Sequence, residues 1–163
     1  MNKVSVIIAN KNTGALLKNS LKNLERIKRH EHEDLEVIVV DRASDDGSAE
    51  MVAKDYPNVI LVETVDKGLS AASNMGAAKA TGDYLLFLAP DAYPRNITIP
   101  KMVAYMEENR DVGLSTPKLY LERGALDHDA HRSFPTPWNS FTRLTGLYSL
   151  FPKSKLFNSY FMW

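Results

Sequence analysis

Cysteine is missing from all 163 residues, which rules out disulfides, thiolate nucleophiles and cysteine-ligated zinc. An excess of charge of one sign is missing too. Twenty basic and twenty acidic residues cancel, so nothing in the overall charge suits nucleic acid, and any anion site must be local. Long apolar runs are absent: the first, residues 4–9, is too short for a signal-peptide core or a membrane span, and the chain reads as cytoplasmic. Neither G-x-G-x-x-G nor a Walker-type lysine follows that run, which removes the dinucleotide-binding and P-loop readings. What is left is a chain long enough for one domain with a sizeable core.

The apolar residues that are present alternate between two periods. Residues 4–9 (VSVIIA) and 35–40 (LEVIVV) predict β-strands rich in branched side chains, 59–63 a third, and 112–116 a fifth. The fourth, 84–89, is a continuous apolar run bounded by Gly82 and Pro90, which predicts a strand buried on both faces. Between them, Leu16, Leu17, Leu21, Leu24 and Ile27 recur at helical spacing over 15–27, and helices are expected over 49–55, 69–80 and 102–108. Small residues crowd the 69–80 helix, allowing close approach to the sheet or to a ligand, and Asn74 is its main polar member. Strands alternating with helices predict βαβ units and a mostly parallel sheet with right-handed crossovers.

In such a sheet the strands' carboxyl ends share one edge, where ligands bind. Asn10 and Asn12 follow strand one, Asp41 strand two and Asp91 strand four. That set suits a ligand with hydrogen-bonding rings and hydroxyls, plus a diphosphate needing a cation, which describes a nucleotide sugar. The plainer reading of Asp91 is a turn aspartate. His30 and His32 lie among surface charges. Asp127, His128, Asp129 and His131 precede a proline-rich loop over 132–137, an ordinary polar segment. The aromatic tail over 138–163 reads first as core packing, with self-association or peripheral membrane contact as the readings of any exposed part.

Taken together, VSVIIANKNTG, EVIVVDRASDDGSAEMV and DKGLSAASNMGAAKATGDYLLFLAPD resemble, in order and spacing, family 2 glycosyltransferases of the GT-A fold. Residues 127–157 (DHDAHRSFPTPWNSFTRLTGLYSLFPKSKLF) resemble the middle region of a bacterial subgroup described as rhamnosyltransferases. The resemblance implies an α/β fold, a Rossmann-like three-layer αβα sandwich with a mostly parallel sheet, cut short at its carboxyl end. One domain is expected over 1–163, with core βα units over 1–116 and an acceptor-side loop and aromatic tail over 117–163.

The same resemblance assigns roles. The Ala9, Asn10, Lys11, Asn12 loop lies against the nucleoside, and Asp41 hydrogen-bonds the base. Asp66, Gly68 and Asn74 belong to a segment that closes over nucleotide and donor sugar. Asp91 matches the last acid of a D-x-D-like motif and binds Mg²⁺ or Mn²⁺ on the diphosphate, and Arg132 faces the cleft. The implied activity is inverting transfer of a hexosyl or rhamnosyl group from a nucleotide-diphosphate donor to a glycan or lipid-linked acceptor. Its setting is cell-surface polysaccharide synthesis at the inner face of the membrane, with this chain as the donor-binding part and with no nucleic acid partner. Departures are Lys11 where an aromatic is common, Arg42 and Ala89 where asparagine is common, and the lack of a match for the catalytic base, which in the family follows the position of Trp163. A non-catalytic nucleotide-sugar-binding module is the alternative.

Overall fold

The computed structural model describes residues 2–30, 34–121, 123–127, 133–151, 154 and 156–159, and the chain divides into two compact units, Met1–Ser115 and Thr116–Trp163. The first is built on a sheet of four parallel strands in the order β3-β2-β1-β4. These are β1 (Val4–Asn10), β2 (Leu35–Asp41), β3 (Ile60–Glu63) and β4 (Tyr84–Phe87). Helices α1 (Gly14–His30), α2 (Ser48–Asp55), α3 (Leu69–Lys79) and α4 (Thr98–Glu108) connect and flank them.

Alternation along β1 and β2 feeds two cores. Val4, Val6, Ile8, Leu35, Val37 and Val39 meet Leu17, Leu21, Leu24 and Ile27 of α1, Val52 of α2 and Ile99 of α4 on one face. Ile7, Ala9, Ile38 and Val40 meet Ala72 of α3 on the other. The result is the three-layer αβα sandwich expected, with β1 at its centre. The small residues of α3 serve the sheet: a Cβ on Gly76 would stand 2.4 Å from Ile7 Cγ2.

At the amino-terminal edge of the sheet, Glu36 accepts from Ser5 Oγ at 2.5 Å, Thr81 N at 2.9 Å, Thr81 Oγ1 at 2.7 Å and Lys3 Nζ at 3.0 Å. Burial pushes this carboxyl up, but the hydrogen bonds from Ser5, Thr81 and Lys3 outweigh it and hold it at about 2 against an ordinary 4.5. Because the folded value lies below the unfolded one, the stabilisation is fully present above pH 4.5 and is lost as pH falls toward 2. Glu36→Gln is expected to cost about 1–2 kcal/mol at neutral pH and to flatten the acid limb of the stability curve. Urea midpoints measured down that pH range check it; an acid limb identical to that of the unaltered chain would remove Glu36 from acid sensitivity.

Two sequence expectations are corrected here. Residues 112–116 form no strand: Gly113 and Pro117 interrupt the run, and Leu114 is 88% exposed. The fourth strand is not buried on both faces, since Leu85 is 45% and Phe87 53% exposed. The reason is position. β4 is an edge strand, and α3 lies over β1 and β2, so β4 has only its Tyr84, Leu86 and Leu88 side packed. Pairing continues past its end through Leu88 N to Ile7 O at 3.0 Å. The first helix also runs on to His30, with Leu16, 42% exposed, falling off its buried stripe, and the fourth begins at Thr98, its Pro100 tolerated in the first turn, where no intrahelical N–H bond is needed.

The second unit holds α5 (Pro137–Leu144) and α6 (Leu147–Leu150). Thr136 caps α5 by accepting from Asn139 N, and Pro137 occupies the first helical turn. Buried Asn139 donates to Ser133 Oγ and the Phe134 carbonyl and accepts from Ser159 Oγ at 2.6 Å. Trp138 packs on Phe141 and Phe157 with ring centroids 5.7 and 6.1 Å away and donates Nε1 to Leu156 O. Part of the aromatic tail is therefore packed on itself. His32, His128, Asp129, His131 and Arg132 lie outside the described residues.

Candidate functional site

The ladder register sets Asn10 directly opposite Asp41 at the carboxyl ends of β1 and β2. Both side chains are buried, 0% and 2% exposed. Asn10 Nδ2 donates to Asp41 Oδ2 at 2.8 Å and Ser48 Oγ at 2.7 Å, while Thr13 Oγ1 donates to Asn10 Oδ1 at 2.6 Å. Asp41 also accepts from Ser44 N at 2.8 Å and from Ser48 Oγ. Burial pushes the Asp41 carboxyl up, and the hydrogen bonds from Ser44, Asn10 and Ser48 together hold it below its ordinary value. This network fastens the loop after β1 to the loop after β2 and to the start of α2.

Around it the loops are tied at further points. Lys11 Nζ donates to the carbonyls of Arg42 and Ala43 at 2.9 and 2.6 Å, so it spans two loops. Asn12, at φ 51°, accepts from Asp45 N at 2.9 Å, and its own amide donates to Ser44 Oγ. Asp46 receives the Gly14 amide at the amino-terminal end of α1, where a carboxylate is favoured by the helix dipole. Asp66, after β3, accepts from Arg42 Nη1 at 3.3 Å and from Gly68 N at 3.0 Å, and Gly68 supplies the φ of 89° that starts α3.

Above this platform lies a cleft of about 400 Å³ lined by Ala9, Lys11, Thr13, Arg42, Leu69 and Ser73, with Ile7 and the stretch from Phe87 to Pro90 on the β4 side. Asp91 follows Pro90 in the turn after β4. It is exposed, and among the described residues it makes no hydrogen bond or ion pair. Of the residues expected from the sequence, Ala9 and Lys11 line the cleft, Asp91 adjoins it, and Asp66 and Gly68 hold its β3 side. Asn10 and Asp41 sit beneath it and Asn12 on the loop beside it. Asn74 is exposed next to the cleft-lining Ser73 without itself lining the cleft, and Arg132 lies outside the described residues.

Arg42, Thr13, Ser73 and Leu69 were not assigned from the sequence. The signal for Arg42 was available in the strand period: Asp41 shares a face with Val39 and Val37, so the next residue falls on the α3 face with Val40 and Ile38. The parallel sheet between its helical layers is that of the GT-A class of folds. The family model for glycosyl transferase family 2 matches residues 5–163, and the chain belongs to that family.

Among curated relatives, the chain is similar to the uncharacterized glycosyltransferase YibD of Escherichia coli, 33% identical over 116 residues, covering 68% of this chain and 33% of the relative. It spans about a third of the length of the first curated relatives it matches. Among solved structures it is similar to the mannosyltransferase PcManGT from Pyrobaculum calidifontis in complex with GDP-Man and Mn²⁺, with a TM-score of 0.58 and 30% identity over 64% of this chain and 32% of that one. TarS of S. aureus in complex with UDP-GlcNAc has a TM-score of 0.57 at 22% identity over 75% of this chain and 41% of that one, a likeness of fold.

Proposed function

We propose that this chain carries the donor site of an inverting glycosyltransferase moving a hexosyl or rhamnosyl group from a nucleoside diphosphate to an acceptor hydroxyl in cell-surface polysaccharide or glycan synthesis. The observation that carries the reading is Asp91: an exposed carboxylate with no partner among the described residues, beside a cleft at the carboxyl edge of a parallel sheet. The structural likeness to a mannosyltransferase in complex with a nucleotide sugar and Mn²⁺ supports it.

Among the described residues no group of three or more acidic or histidine side chains could hold a metal ion. One carboxylate is nevertheless a fitting protein contribution for Mg²⁺ or Mn²⁺, because such ions take their remaining ligands from substrate phosphates and water. Asp91 would hold the ion, and with it bound the negative charge developing on the departing diphosphate is stabilised. In transfer, the acceptor oxygen bonds to the anomeric carbon from the face opposite the leaving group, the bond from that carbon to the diphosphate oxygen breaks, and the acceptor proton passes to a base. The chain's own residues shape the donor side. The Asn10–Asp41 network fixes the platform, Lys11 holds the two loops together, and the Leu69 and Ser73 turns of α3 wall the cleft.

A donor-holding module without transfer is the second reading, favoured by a cleft lining that among the described residues has no carboxylate or histidine to take the proton. No helix among the described residues is long and apolar enough to cross a membrane. The exposed Phe134 and Leu144, at 90% and 88%, support contact of the second unit with a membrane surface bearing a lipid-linked acceptor, or with another copy, on the cytoplasmic side.

The test is calorimetric titration with uridine, thymidine and guanosine diphosphates, with Mn²⁺ and with chelator. Metal-dependent binding of at least one is expected. A folded chain that binds none would overturn the donor site. Release of nucleoside diphosphate from its sugar in the presence of acceptor then separates transfer from holding.

A further inference from the structure

Arg42 is the cleft side chain whose chemistry the proposed reaction leaves unused. The lining holds two cations, Lys11 and Arg42, and Lys11 Nζ is committed to two backbone carbonyls. Arg42 is not committed. Its side chain is only 18% exposed. Of the five N–H donors a guanidinium carries, one is engaged among the described residues, by Asp66, and Nε is buried with no hydrogen-bond partner among them. Donors withdrawn from water in this way are costly until an acceptor meets them.

The sheet order indicates which part of a donor that acceptor belongs to. β2 and β4 flank β1, and neighbouring strands stand about 4.8 Å apart, so Arg42 and the turn bearing Asp91 are separated by on the order of 10 Å across the cleft. A nucleoside diphosphate with its phosphates at Asp91 and its base lying in this cleft brings that base to β2 and Arg42. A guanidinium donates and cannot accept, so it separates the bases by their acceptor edges. Guanine presents two adjacent acceptors, O6 and N7, that match a two-pronged guanidinium; adenine sets an amino donor beside N7, and the pyrimidines have no N7.

We propose that Arg42 is a specificity-determining residue that reads the O6 and N7 edge of guanine, making the donor a guanosine diphosphate sugar. Asp66 supports the arrangement by orienting the guanidinium: it accepts from Arg42 and is itself pinned by the Gly68 amide. The inference rests on the donor site proposed above.

Its test is calorimetry with GDP, UDP, ADP and CDP in the presence of Mn²⁺, on the unaltered chain and on Arg42→Gln and Arg42→Lys, with folding of each checked by circular dichroism. GDP is expected to bind about 10-fold or more tighter than the other three, and Arg42→Gln to lower GDP affinity about 10- to 100-fold while moving the others by less than about 3-fold. Arg42→Lys keeps the charge and loses the planar fork, so it gives the same selective loss. Another diphosphate binding as tightly as GDP to the unaltered chain overturns the inference. So do variants that weaken all four alike, the signature of a structural role. Both outcomes leave the donor site standing, whereas a chain that binds none of the four overturns the donor site and this inference with it.

Discussion

Asp91→Asn is expected to lower Mn²⁺-dependent affinity for a nucleoside diphosphate by about 100-fold or more, since even groups that only support a metal ligand change affinity about 10- to 100-fold when removed. The expectation comes from sorting the acids at the sheet's carboxyl edge by what they already do. Asp41 is 2% exposed and accepts three hydrogen bonds from its neighbours. Asp46 receives the Gly14 and Ser48 amides. Asp66 is held between Arg42 and Gly68. In the described residues the carboxylates of Asp91, Asp45 and Glu63 have no partner, and of these three Asp91 is the one that follows directly on a cleft-lining residue, Pro90, which fixes the direction in which the chain turns. Asparagine keeps its size and removes its charge, so fold and thermal midpoint should stay as they are. In chelator, variant and unaltered chain should bind equally weakly, which separates loss of the ion from damage to the cleft. If the variant binds as tightly as the unaltered chain with Mn²⁺ present, Asp91 is a turn residue and the metal site lies elsewhere.

That sorting shows where the sequence could be read and where it could not. The buried strands β1 and β2 and the α1 stripe were legible because they obey one period each: branched residues on both faces, then Leu17, Leu21, Leu24 and Ile27 on one. Asp41 was legible as a residue of the ligand edge, yet its direction was not weighed. A carboxylate at the end of a strand buried on both faces can point into either layer, and here it turns toward Asn10 and Ser48 while Arg42 takes the cleft. The role of Lys11 was hidden for a different reason. A long flexible cation at a loop has no local pattern, and only the approach of the second loop brings the Arg42 and Ala43 carbonyls to it. β4 misled because an uninterrupted apolar run carries no information about whether a helix covers its second face. Leu85 and Phe87 have the composition of core residues and the exposure of an edge, since α3 is drawn over β1 and β2 instead.

What draws α3 there is Gly76, and Gly76→Ala is expected to destabilise the chain by about 3 kcal/mol. Helix propensity alone predicts the opposite, a gain of about 1 kcal/mol, so the sign of the result decides which effect wins. A Cβ at this position would stand 2.4 Å from Ile7 Cγ2 and 3.2 Å from Val40 Cγ2. Neither neighbour can give. Ile7 is 1% exposed on the central strand, with β2 on one side and β4 on the other, and a branched side chain has few rotamers to move into. The helix must lift instead, and because Leu69 and Ser73 of α3 and Ile7 itself line the cleft, the same displacement should weaken nucleoside diphosphate binding. Ile7→Ala removes the obstructing atoms. Combined with Gly76→Ala it should cost less than the sum of the two single changes, a coupling expected of residues in contact. Urea midpoints of the four chains give that coupling. Additive losses, or a Gly76→Ala chain as stable as the unaltered one, would mean that α3 is placed by its loops rather than by its contact with β1.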